Sequence, residues 1–106
     1  MAILFYDHLF NKQEITDLIN SSNEAENQRA KLHQLVDDIL LQGIIIMILN
    51  QLKETKHSVF LEMIHERPYD TEIILFLREH THPKIEDDIK AEAEKLLGTI
   101  LKDMLP

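Results

Sequence analysis

Ile39-Leu40-Leu41-Gln42-Gly43-Ile44-Ile45-Ile46-Met47-Ile48-Leu49 is the stretch on which the fold turns. It is bounded by Asp37-Asp38 before and Asn50-Gln51 after. A membrane-spanning helix needs about 20 apolar residues. This run holds eleven, broken by Gln42 and Gly43, so it reads as a core helix, and no membrane partner is expected. Upstream, Ala25, Leu32, Leu35 and Val36 continue the pattern at helical steps of three and four. The spacing predicts one long helix over about 22–54, amphipathic in its first half. From Ile44 to Leu49 the helix would be apolar all round, and such a helix must be enclosed. β-Branched runs also suit strands, but no partner strand is visible elsewhere.

Working outward, the polar segment Lys53 to His57 forms a joint. Short helices are expected near 12–20, 58–66 and 71–80. Asn11 with Glu14, and Ser21 with Glu24, have the spacing of capping boxes, in which a side-chain oxygen accepts a free backbone N–H at the helix start. Ser22 and Ser58 also stand where caps are expected. Phe60, Leu61 and Ile64 supply the inner face of the third helix, which Pro68-Tyr69 stops, because a residue before proline avoids the α region. Asp70 caps the next helix, whose apolar face is Ile73, Ile74, Phe76 and Leu77. Pro83 opens a C-terminal helix near 83–104, and Glu86-Asp87-Asp88 suits the positive end of its dipole. Its stripe is Ile85, Ile89, Ala93, Leu96, Leu97, Ile100 and Met104.

The expected fold is therefore all-α: a small helical bundle around one long central helix. Residues 1–106 make a single domain, with 1–10 a docking or swapped arm carrying Ile3-Leu4-Phe5 and Leu9-Phe10. The totals agree. Of 106 residues, 44% are apolar and 28% charged, within the globular range, and two Gly with three Pro are too few for the turns of an all-β chain.

The element order resembles a family of short, uncharacterised all-helical proteins of candidate-phylum bacteria, a domain of unknown function. The likeness is carried by Leu35 to Leu52, Phe60-Leu61, Asp70, Phe76-Leu77 and Pro83 with Ile89, and spans about 14–105. His80-Thr81-His82 has no counterpart in that pattern. The resemblance implies the helical fold and supplies no activity.

Net charge is −8, divided as −3 over 1–56 and −5 over 57–106. Neither half offers the basic field that nucleic acid requires, so no nucleic-acid partner is expected. Cysteine is absent, which removes disulfides and thiolate metal sites. With no basic region ahead of Ile3-Leu4-Phe5, a cytoplasmic location is expected.

Six histidines offer chemistry. Glu62/His65 and Glu79/His82 have the Glu-x-x-His spacing that carboxylate-bridged dimetal bundles use. Glu62 and His65, however, fall opposite Leu61 and Ile64, facing water, and His82 precedes Pro83 in a turn. His80 and His82 with Glu79 or Glu86 suit an adventitious surface metal. His33 reads as a boundary residue. Gly43 and Gly98 stand alone in helical patterns, which suggests close helix approach rather than a phosphate loop. No cofactor and no catalytic residue is expected.

What remains is an interaction protein, expected to be a homodimer built on the central helix through Ile39, Leu40, Ile44, Ile45, Met47 and Ile48, with Phe5 and Phe10 from the arm. Two alternatives stand beside it: a Glu/His metal-binding bundle, and a regulatory subunit that docks its arm on a larger partner.

Overall fold

The computed structural model describes residues 4–104. Of the described residues 78% are helical, the 3-10 turns included; they form five α-helices and no strand. They are α1 (Gln13–Asn20), α2 (Glu26–Gln51), α3 (His57–Glu66), α4 (Glu72–His80) and α5 (Ile85–Met104). Short 3-10 turns at Asp7–Leu9 and Glu54–Lys56 lead into α1 and α3. The long helix sets the outline, 46 × 24 × 20 Å.

Two rows of apolar side chains build the core. On α2 they are Val36, Leu40, Ile44 and Ile48, continued by Leu52, all buried at steps of four. On α5 they are Ile85, Ile89, Ala93 and Leu97, again at steps of four and buried. Ridges of that spacing interlock when helices pack, and α2 with α5 forms the main helix pair. Gly43 permits the approach: a Cβ built there would stand 2.5 Å from Leu96 Cδ1. Gly98 differs from the expectation. Nothing lies within 4 Å of its would-be Cβ, so it serves no close contact.

The remaining helices close the row from the side and the end. α1 contributes Ile15 and Ile19, α3 Phe60, and α4 Ile73, Ile74 and Leu77. Leu61 departs from its expected inner position: it is exposed, and Met63 packs against the core beside the expected Phe60 and Ile64.

The arm folds back onto its own chain. Phe5 and Tyr6 are buried, and the Phe5 N–H donates to the Pro68 carbonyl at 2.8 Å. Phe5 meets Phe60 edge-on at 6.4 Å, and Tyr6 stacks on Phe10 at 5.7 Å. Within the single chain Phe5 and Tyr6 are thus part of the core, and Leu4, Leu9 and Phe10 pack against it. Residues 1–3, Ile3 among them, lie outside the described residues. Burial, with help from Asp7 and Asp37, pushes the Tyr6 hydroxyl well above its ordinary value.

Boundaries moved where local hydrogen bonds compete. Ser21 and Ser22 do not start α2. Their hydroxyls donate back to the Leu18 and Ile19 carbonyls at 3.1 and 2.8 Å and finish α1. α2 then begins at Glu26, after an extended Ala25. It stops at Gln51 because Leu52 and Lys53 are extended and the His57 ring caps the end, Nε2–H donating to the Leu49 and Leu52 carbonyls at 2.8 and 3.0 Å. Ser58 lies inside α3 and makes no cap bond, since the 3-10 turn leads straight into that helix. Asn11 and Asp70 each stand one residue before the N-cap, Lys12 and Thr71, and accept the N–H groups of Gln13 and Glu72 at 2.7 and 2.9 Å.

Candidate functional site

α2 has a second apolar row besides the one in the core. Leu32, Leu35, Ile39, Gln42, Ile46 and Leu49 follow one another at steps of three, four, three, four and three. At 3.6 residues per turn they share a face turned away from Leu40 and Ile44. Their exposure follows from that. Ile46 is 59% exposed and Leu35 54%. Gln42 is exposed too, and Leu32, Ile39 and Leu49 are half-buried. The belt expected to be enclosed on every side is closed on its inner side and open at Ile46.

The interface residues expected from sequence fall into two groups. Leu40, Ile44, Ile48 and Phe5 are enclosed by their own chain. Ile45, Met47 and Phe10 are half-buried against the core, and Ile39 is half-buried on the outer row. Leu35 and Ile46 are the exposed members of the outer row, and sequence reasoning named neither as interface. The alternation of threes and fours was the signal that could have found them.

The metal candidates are not brought together. Glu62, His65 and Glu79 are exposed on α3 and α4. Among the described residues no group of three or more His, Asp or Glu side chains is placed to hold a metal ion. His82 is already spent. Its Nδ1 accepts the Lys84 N–H at 3.2 Å, which leaves Nε2–H to donate to Asp88 Oδ2 at 2.6 Å. Gln51 Nε2 donates to the same oxygen at 2.9 Å. These bonds tie the start of α5 to the end of α2. They hold the Asp88 carboxyl below its ordinary range, Gln51 acting most and His82 next. Arg78 does the same to Glu86 through an Nε–H bond of 2.6 Å.

A cleft of about 680 Å³ runs between α1 and α2, past Lys12, Ile15, His33 and Asp37. Lys12 bridges it to Asp37 at 2.7 Å, and His33 pairs with Asn20 at 2.9 Å. Side chains that satisfy one another in this way leave no convergent set for acid–base or nucleophilic work.

By length and composition α2 could also cross a membrane, a test that the core helix of a folded bundle passes equally. Here its inner row is packed on α5, a helix that carries Glu92, Glu94, Lys95 and Lys102.

The class defined by these features is an all-α bundle whose long helix leaves Leu35 and Ile46 open to water, as α3 leaves Val59 and Leu61 and α4 leaves Leu75. No family model, curated protein or solved structure matches the chain. The functional reading therefore rests on the geometry of the chain itself.

Proposed function

We propose that this is a non-catalytic helical interaction protein that self-associates through the outer row of α2. One observation carries the reading: Leu35 and Ile46 stand open to water in a regular three–four seam, on a helix whose opposite side is core. Scattered single apolar residues on a surface mean little. A row of them with coiled-coil spacing, interrupted once by an uncharged Gln42, is the form a helix-to-helix contact takes. The paired side chains of the α1–α2 cleft and the committed nitrogens of His82 favour an interaction role over chemistry.

Light scattering tests it. The expected outcome is a mass that rises from 12.4 kDa toward twice that value with concentration, and an Ile46→Lys chain that stays at monomer mass with unchanged helicity. The contact is small, so the dissociation constant should be on the order of 10 µM. A wild-type chain that stays at monomer mass far above that concentration, or that floats with phosphatidylcholine vesicles, removes the proposal.

A further inference from the structure

Resting on that reading, we infer that the occupant of the seam is a second copy of α2 laid antiparallel, with Leu35 of each copy against Ile46 of the other. The spacing of Leu32, Leu35, Ile39, Gln42, Ile46 and Leu49 is a palindrome: read backward it is still three, four, three, four, three. A face that reads the same in both directions is complementary to itself under a twofold axis across the helix. With that axis between Leu40 and Leu41, Leu32 meets Leu49, Leu35 meets Ile46 and Ile39 meets Gln42. Each contact occurs twice, and the two most exposed apolar side chains of α2 cover each other.

Charge chooses the direction. Every charged side chain of α2 lies in its first half: Glu26, Arg29, Lys31, Asp37 and Asp38. From Ile39 to Gln51 there is none. A parallel pair would lay Asp38 and its surroundings along the same acidic stretch of the twin. The antiparallel pair lays each charged half along the other's uncharged half. It also opposes the two helix dipoles, which a parallel pair would align. For chains that each carry −8 these differences count.

Gln42 fits the same arrangement. The two Gln42 residues sit about 4.5 Å apart along the axis, three residues at 1.5 Å each, on either side of the twofold. Their amides can reach one another across it, each supplying a donor and an acceptor. A polar residue inside such a seam costs affinity and favours the register that keeps the two amides within reach of each other, because a slide that parts them leaves both unpaired. The seam from Leu32 to Leu49 is about 25 Å long and one helix wide, at the small end of specific interfaces. That is the size of a concentration-dependent dimer.

The lack of native cysteine makes the test direct. Leu35→Cys and Ile46→Cys chains are prepared separately, mixed above the dissociation constant and oxidised mildly with diamide. A disulfide needs Cα atoms no more than about 7 Å apart. The antiparallel twin brings position 35 of one chain to position 46 of the other. It keeps the two 35 positions about 16 Å apart along the axis. The expected product is the mixed dimer, with neither variant forming a disulfide dimer alone. Both positions are exposed, so helicity by circular dichroism should match wild type and confirm an intact fold. Homodimeric disulfides from each variant alone would mean a parallel pair and overturn the inference while leaving self-association standing. A dimer by light scattering with no disulfide of either kind would place the contact on another face and overturn it as well. A wild-type monomer at every concentration would remove both the inference and the reading beneath it.

Discussion

The two apolar rows of α2 are alike in composition and opposite in fate. Val36, Leu40, Ile44 and Ile48 run at steps of four and disappear into the core. Leu35, Ile39, Ile46 and Leu49 run at alternating threes and fours and face outward, two of them more than half exposed. Hydrophobicity does not separate them, since Ile44 and Ile46 are the same residue two positions apart. The difference lies in what each row finds opposite. The inner row finds a matching i+4 row on α5, while the outer row touches the core only at its ends, Leu32 and Leu49, and leaves Leu35 and Ile46 uncovered. An apolar helix thus carries two messages, one for the fold and one for whatever lies beside it.

The sharpest way to break the comparison is to make one substitution on both sides. Ile44→Ala leaves a cavity between α2 and α5 and should lower stability by about 3 kcal/mol. Ile46→Ala, measured in dilute protein, should change it by about 0.5 kcal/mol or less, because alanine's better helix propensity offsets the little packing that is lost. Urea unfolding followed by circular dichroism reads both. Equal losses would mean that Ile46 is also core, and the outer face would cease to be a surface.

Much of this was legible beforehand, for physical reasons that can be named. All five helices were placed to within a few residues, because proline, asparagine and aspartate signals act through the backbone beside them. Asp70 accepting the Glu72 N–H is a local event that sequence spacing specifies. The N-terminal limit of α2 was set four residues too early, because a serine hydroxyl can serve the helix before it as readily as the one after. Ser21 and Ser22 chose the carbonyls of α1. The central belt was the harder case. Six consecutive apolar residues erase the periodicity that would say which side is inner, and the answer lies in residues about 50 positions away on α5. One clue was available: Gly43 lies beside Leu96, and a lone glycine in such a run marks the flank on which another helix comes close. The site was less legible still. His82 looked like a ligand until the bonds to Lys84 and Asp88 used both its nitrogens, a consequence of the turn at Pro83 that spacing alone does not reveal.

The two glycines extend the comparison to a smaller scale. Both stand in helices, where glycine costs about 1 kcal/mol relative to alanine. Gly98→Ala meets open space and should recover most of that, raising the thermal midpoint by several degrees for a domain of this size. Gly43→Ala gains the same propensity but drives Leu96 from its place between α2 and α5, so its net effect should be zero or negative. Paired thermal melts decide it. Stabilisation of equal size at both sites would show that the α2–α5 contact is loose at Gly43.

The smallest effect expected concerns the knot at the end of α2. Gln51 and His82 both donate to Asp88 and lower its carboxyl pKa in the folded state. A carboxyl with a lower pKa folded than unfolded stabilises the fold at any pH above its unfolded value, near 3.9, and loses that contribution as pH falls through the folded value. The Asp88 side chain is 40% exposed, so solvent screening limits the contribution to about 0.5 kcal/mol. Asp88→Asn keeps the shape and removes the titration. Wild type should therefore exceed the variant in stability near neutrality, and the two should converge as the pH falls through the lowered carboxyl value of the folded state. Glu86, held low by Arg78, remains in both proteins and cancels from the difference. A gap that persists unchanged into acid would mean that Asp88 acts through its size and not its charge. The α2–α5 junction would then be held by its apolar rows alone, Ile48 and Leu52 against Ile85 and Ile89, and the polar knot would add nothing to what the inner face already supplies.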